Sequence, residues 1–376
     1  MKVRMRAIRS AAALAGVGVL LVAATQQRPS LCGGAPESRW SAGGATYRPS
    51  GVAGNTSATE LASITGIAAA GGRVFVHDGQ VARIHVLSDE LAPLSRFGRR
   101  GEGPGELSAL PLLAFDPVAH YTANTLAADD SLLYVYDGRR VQQYRHDGTY
   151  VEHPGTTSLA FVPHWIRTLA PRPEGVYVGY DSLDLVRGGR LLQTWRLTSA
   201  GRIRVHSVSL PAPPASSGSM VRSGRDPRPL WALAGGCVVW ADGFNHRLVR
   251  IRMRDGATDT VRLPAHRVPP YDYDHAEVSR LARRMGSPPP PRRPRDAPLW
   301  HWAGLVVDPD GHVWVRPWTL SGRPEGPVYR VDPWGRVLEE RVPAFPEAFG
   351  RPGVFYARDR NRATDEILLT RFQKSR

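Results

Sequence analysis

Gly236-Cys237-Val238-Val239-Trp240-Ala241-Asp242, then a polar turn, then Arg247-Leu248-Val249-Arg250-Ile251 is the stretch on which the fold is decided. A β-branched and aromatic triplet ends in an aspartate and a turn, and a second β-rich run follows it. The same unit recurs with the triplets Val74-Phe75-Val76, Tyr134-Val135-Tyr136, Val176-Tyr177-Val178 and Val313-Trp314-Val315. Second runs follow at Arg83-Ile84-His85-Val86-Leu87, Val141-Gln142-Gln143-Tyr144 and Val328-Tyr329-Arg330-Val331. Asp147-Gly148, Asp255-Gly256 and Asp310-Gly311 supply turns in which glycine can take the positive φ of a tight hairpin.

A single four-stranded sheet of this size cannot bury both of its faces, so such units must stack against one another. No run of helices is evident to cover an open stack, which favours radial closure. The sequence therefore predicts an all-β fold, a six-bladed β-propeller of four-stranded antiparallel blades. Repeat regularity is lowest between residues 156 and 210. The sixth blade is expected to be composite, with strands at Val354-Phe355-Tyr356-Ala357 and Glu366-Ile367-Leu368-Leu369-Thr370 and an outer strand from Trp40 to Val52. Pairing the two chain ends in one blade closes the ring and removes an exposed strand edge.

The N-terminus carries Lys2, Arg4, Arg6 and Arg9 without an acid, then the apolar run Ala11 to Ala24. That is the pattern of a secretory signal, and the run is short for a membrane span of about 20 residues. Cleavage is expected near Ala24, with an uncleaved anchor as the alternative. Cys32 follows Leu31, which departs from the small residue of a lipobox. The expected organisation is a signal at 1–24, a flexible linker at 25–39, and a propeller at 40–376 with a Pro/Arg-rich insertion at 264–298. Within that insertion Asp274 to Met285 reads either as a short helix capped by Asp274 or as part of a basic linker.

The formal net charge is +15, and removing the four signal charges leaves +11. Only Lys2 and Lys374 are lysines, and the arginines are scattered rather than gathered in a stripe, so specific nucleic-acid binding is not expected. Cys32 and Cys237 are the two cysteines. Because Cys32 lies in a Gly/Pro/Ser-rich stretch, the reading adopted is a buried, unpaired Cys237 rather than a bridge.

Phe97-Gly98-Arg99-Arg100-Gly101-Glu102-Gly103-Pro104-Gly105-Glu106-Leu107 resembles the GxGPGE segment of bacterial six-bladed propellers related to NHL-repeat propellers. The run from Val239 to Leu248 is similar to the NHL repeat core, and Val307 to Val315 looks like the same family. The resemblance implies the fold and little about activity. The Gly101 to Gly105 turn lacks the lysine and helix of a phosphate cradle, and Glu106 is expected to accept backbone N–H bonds.

No HExxH pair or zinc spacing occurs among the twelve histidines. Ser217-Gly218-Ser219 and Ser321-Gly322 read as linkers rather than nucleophile elbows. Asp78 with Arg83, and Asp242 with Arg247, share a spacing that can set carboxylate against guanidinium across one turn. The rival arrangement is a ring of Asp78, Asp137, Asp181 and Asp242 around calcium. No cofactor is predicted beyond that calcium option.

The function expected is an exported binding module or interaction scaffold of the bacterial envelope. The alternative is a metal-dependent hydrolase or lyase of lactonase type, for which His77, His301 and Asp181 would be candidates. Candidate ligand-binding residues, all assigned to one face, are Trp300, His301, Trp302, His77, Asp78, Asp137 and Asp242. Trp300 and Trp302 can alternatively pack between blades. A protein, glycan or small-molecule ligand, a monomer, and no integral span after signal cleavage complete the expectation. Protein recovered from a bacterial envelope fraction should have an intact mass that begins near Thr25; recovery of full-length cytosolic protein would refute export.

Overall fold

A computed structural model of the chain describes residues 30–35, 37–54, 59–108, 125–137, 140–151, 166–184, 189–198, 201–210, 230–242, 246–264, 279, 283, 302–317, 326–360, 364 and 366–375. Its strands form six four-stranded antiparallel sheets, the blades of a propeller. The first strand in the chain, β1 (Tyr47–Ala53), is set aside for the last blade. Blade 1 runs outward from the axis as β2 (Ile64–Ala70), β3 (Arg73–Asp78), β4 (Arg83–Ser88) and β5 (Pro93–Phe97). Blade 2 holds β6 (Leu126–Ala128), β7 (Leu132–Tyr136), β8 (Val141–Arg145) and β9 (Tyr150–Val151). Blade 3 holds β10 (Ile166–Arg172) and three longer strands, β11 (Gly175–Asp184), β12 (Gly189–Thr198) and β13 (Gly201–Leu210). Blade 4 holds β14 (Leu230–Ala234), β15 (Cys237–Asp242), β16 (Arg247–Arg252) and β17 (Thr258–Arg262). Blade 5 holds β18 (Trp302–Val307), β19 (Val313–Pro317), β20 (Gly326–Val331) and β21 (Val337–Val342). Blade 6 is β22 (Ala348–Phe349), β23 (Val354–Arg360), β24 (Ile367–Lys374) and, outermost, β1.

Each repeated triplet lies in the second strand of its blade, and its consecutive side chains are buried, Tyr136 only partly, because alternate ones face different neighbours. Val74 and Val76 pack toward blade 6, whereas Phe75 between them packs toward blade 2. Val313 and Val315 likewise face blade 4 while Trp314 faces blade 6. The strand period of two thus sends alternate residues into two different seams. Full burial of each such side chain contributes roughly 1.5–3 kcal/mol. The expected Asp-Gly turns form, Gly148 between β8 and β9, Gly256 between β16 and β17 and Gly311 between β18 and β19, with φ of 92°, 72° and 86°.

The ring closes as expected through the N-terminal strand, with Tyr47 opposite Lys374 and Ala53 opposite Leu369. The innermost strand of that blade is the two-residue β22, one step further in than the sequence strands at 354 and 366. Blade 6 joins blade 1 through an apolar seam of Tyr356, Val354 and Leu369 against Ile67, Val74 and Val76. Polar groups reinforce it, with Tyr356 Oη donating to Asp89 O at 3.0 Å and Arg351 pairing with Asp89 at 3.1 Å.

The unpaired reading of Cys237 is overturned: Cys32 and Cys237 form a disulfide, with Cα atoms 5.2 Å apart. Composition alone suggested a free tail, but residues 30–35 and 37–42 lie as a strap against blades 4, 5 and 6. Gly236 N donates to Cys32 O at 3.1 Å, and Ala35 N to Asp310 O at 3.0 Å. Ser38 Oγ donates to Asp308, and Arg39 pairs with Asp310 at 2.8 Å. Farther along, Ser41 Oγ and Ala42 N donate to Glu340, which also holds the buried Arg330 at 2.7 Å. Trp40 is buried between blades 5 and 6 and donates from Nε1 to Gly350 O. These bonds bring the cysteine to the β14–β15 hairpin.

Of the 264–298 insertion only Pro264, Ser279 and Arg283 are described, the last two with helical backbone, so the choice between helix and linker there lies outside the described residues. No helix among the described residues is long and apolar enough to cross a membrane.

The bridge spans a sequence separation of 205 residues. Loop-closure entropy for that separation is on the order of 5 kcal/mol. The untreated protein should show no free thiol. Cys237→Ala, or reduction, should lower the melting temperature by about 10 °C. Two titratable thiols in the folded, oxidised preparation would refute the bridge.

Candidate functional site: the axial channel

The innermost strand of every blade has one partner, so its other edge is unpaired and faces the axis. Six such edges line a cavity of about 520 Å³. Its wall is built largely from small residues, among them Ala68, Ala69, Ala127, Ala128, Ala170 and Ala232. Alanine keeps the lumen open, so the wall mixes apolar side chains with the N–H and C=O groups of the strand edges. A seven-residue inner strand such as β2 is about 20 Å long.

The two ends of the channel differ. At the upper end inner strands begin and second strands finish, as the pairing of Ile64 with Asp78 shows. There Arg358 and Glu347 line the cavity together, with Nε of Arg358 2.5 Å from Glu347 Oε2 and its backbone N 3.0 Å from Oε1. Nη1 of the same arginine donates to Ile64 O at 2.8 Å, tying blade 6 to blade 1 at the mouth. At the lower end Gly34 and Ala35 of the strap reach the cavity wall beside Asp308, Asp310 and Gly311. Asp308 is buried, which by itself would raise its pKa, but the His312 imidazole 3.5 Å away and hydrogen bonds from the Ser38 and Trp314 side chains hold it below the usual carboxylate range. Arg172 sits at this end and donates to Gly235 O at 3.4 Å.

Of the sequence candidates, His77, Asp78, Asp137 and Asp242 are described; they lie on the upper side and do not line the lumen. His77 is fully buried at the end of β3, with Nδ1 3.0 Å from Thr125 Oγ1 in the neighbouring blade. Burial lowers its pKa to about 4, so the ring is neutral at physiological pH. Asp78 is also fully buried and accepts the backbone N–H groups of Ala62 at 2.7 Å, Ser63 at 3.1 Å and Gln80 at 3.2 Å. It uses backbone amides where the sequence spacing suggested Arg83. Asp242 does pair with Arg247 at 2.8 Å as the spacing indicated. Asp137 accepts from Arg140 N at 3.0 Å and Gln142 Nε2 at 3.1 Å. Each of these carboxylates fixes the turn that follows its own second strand.

Trp302 opens β18, while Trp300 and His301 lie outside the described residues, as does the side chain of Asp181. Among the described residues no group of three His, Cys, Asp or Glu side chains gathers as a metal site.

The GxGPGE turn serves as a clamp between blades 1 and 2. Glu106 accepts Gly103 N at 2.8 Å and pairs with Arg99 at 2.8 Å. The Gly103 hydrogen bond, followed by the charge of Arg99, keeps its carboxyl below the ordinary range despite a desolvation penalty. Arg140 and Gln142 from blade 2 donate to Glu106 O at 3.0 and 2.6 Å, docking the turn on the next blade.

The sequence reading missed Arg358 and Glu347, which flank a two-residue strand too short to carry a pattern. It also passed over the alanine-rich segments Ile67-Ala68-Ala69-Ala70, Leu126-Ala127-Ala128 and Leu169-Ala170 that precede the triplets. Their recurrence was the available signal for a channel wall.

No protein-family profile matches the chain, and no curated protein matches it. Solved structures do resemble it. A Bacteroides fragilis protein whose name calls it exported aligns over 88% of this chain and 96% of its own at 10% identity, with a TM-score of 0.48. A Bacteroides thetaiotaomicron protein of unknown function aligns over 87% and 76% at 11% identity, TM-score 0.47. The calcium-binding protein regucalcin of Agrobacterium tumefaciens aligns over 87% and 95% at 15% identity, TM-score 0.42. At these identities no residue role passes from them to this chain.

Proposed function

We propose that this chain is an exported binding propeller that takes a small molecule into its axial channel. The observation that carries the reading is the cavity of about 520 Å³ bounded by six strand edges and small side chains. That volume lies within the range of small-molecule sites, roughly 300–1,000 Å³. A lumen that mixes alanine methyls with strand-edge backbone groups and carries a guanidinium–carboxylate pair at one end suits a small ligand with both an apolar body and a polar head. Export is supported by the N-terminal charge and apolar pattern and by a disulfide, which persists in oxidising compartments.

The test is a thermal-shift screen over sugars, lactones, peptidoglycan fragments and divalent metals, repeated with the channel filled by Ala69→Leu and Ala128→Leu. A true ligand should stabilise the parent and lose at least about tenfold in affinity on filling, a change of about 1.4 kcal/mol. A ligand whose binding survives the filled channel places its site elsewhere and overturns the channel reading. Turnover of a lactone or ester with a bound metal would overturn binding as the function.

A further inference from the structure

Among the described residues, Arg358 is the cavity-wall side chain held rigidly at the upper mouth with hydrogen-bond donors to spare. Its side chain is 14% exposed and that of its partner Glu347 is 12% exposed. Two bonds fix the guanidinium plane, Nε to Glu347 Oε2 at 2.5 Å and Nη1 to Ile64 O at 2.8 Å. A guanidinium has five N–H donors, so three find no partner among the described residues, including both on Nη2. The third anchor is Arg358 N to Glu347 Oε1 at 3.0 Å, which holds the carboxylate itself in place. A planar donor group locked by neighbours loses little side-chain freedom when a ligand oxygen arrives.

The acids at the opposite mouth are already engaged. Asp310 pairs with Arg39 at 2.8 Å, and Asp308 accepts from Ser38 Oγ, from His312 N at 2.9 Å and from Trp314 Nε1 at 3.0 Å. The strap therefore quiets the negative charge of the lower end, and Arg358 keeps its free N–H groups at the upper end. Between them the wall is formed by Ile67, Ala68, Leu126, Ala127 and their counterparts around the ring.

We propose that Arg358 anchors a carboxylate of the channel ligand, and that the ligand class is a small organic acid with an apolar body lying along the alanine-lined lumen. The proposal rests on the channel reading and adds the ligand's chemistry to it. The carboxylate accepts from Nη2, Glu347 stays bonded to Nε, and no covalent step is involved.

The experiment uses octanoate and phenylacetate as probes, with octanol and phenylethanol as their uncharged counterparts, on the full-length oxidised protein by calorimetry. The acids should bind and the alcohols should bind at least about tenfold more weakly, the scale of one charge-assisted hydrogen bond. Arg358→Gln should abolish that preference. Arg358→Lys should keep part of it, since the charge remains and the planar fork does not. If these variants do not fold, phenylglyoxal modification of Arg358 in the parent, read by peptide mass, replaces them, and octanoate should protect the site. Acids that bind equally well to Arg358→Gln, or that leave Arg358 unprotected, overturn the anchor. Alcohols that bind as tightly as acids and are expelled by Ala128→Leu overturn the acid class while leaving the channel reading intact. Probes unaffected by Ala128→Leu overturn both.

Discussion

A blade with apolar side chains on both faces needs a neighbour on each side, and in a finite chain only a closed ring supplies every blade with two. That constraint governs the rest of the molecule. The seam between blades 6 and 1 has to be as well packed as those made by chain neighbours, and Tyr356, Leu369 and Val354 against Ile67 and Val74 meet it. The polar contacts at that seam, Asp89 with Tyr356 and with Arg351, are made across the junction rather than within one blade. Closure also creates the channel, because the last unpaired edge of each sheet is turned toward a common axis.

The blades were legible because their signal is local and repeated. Val74-Phe75-Val76 and Val313-Trp314-Val315 are apolar at consecutive positions, which for a strand means two buried faces, and two buried faces in a short sheet mean stacking. The closing strand was legible for a complementary reason: the chain ran out of strands after Glu366 and had a spare β-rich segment near Tyr47. The disulfide was not legible. Glycine, proline and serine around Cys32 look like a free tail, whereas the contacts that hold that segment in place come from Asp308, Asp310 and Glu340, some 270 to 300 positions from the residues they bind. Sequence proximity carries no trace of such partners.

The site was legible only in part. The acids at the ends of second strands stand out in the sequence by repetition, and repetition favoured them as a ligand face; in the fold each of Asp78, Asp137 and Asp242 serves its own turn. Repetition marks what every blade needs, and every blade needs its hairpin held. A ligand-specific group is expected to break the repeat, and Arg358 does: it belongs to the blade assembled from both chain ends, beside the shortest inner strand. The GxGPGE turn fits the same view, since its glutamate and backbone carbonyls are engaged by Arg140 and Gln142 in joining two blades.

The disulfide also imposes an order on biogenesis. The strand β1 pairs with β24, so the ring cannot close until β24 has been synthesised. Cys237 is available much sooner, when blades 5 and 6 do not yet exist. In an oxidising environment the strap can therefore be fastened to blade 4 while the C-terminal third of the chain is still emerging. The fastening keeps the first strand close to the place where the last one will arrive, and it turns a search over the whole chain into a short local one.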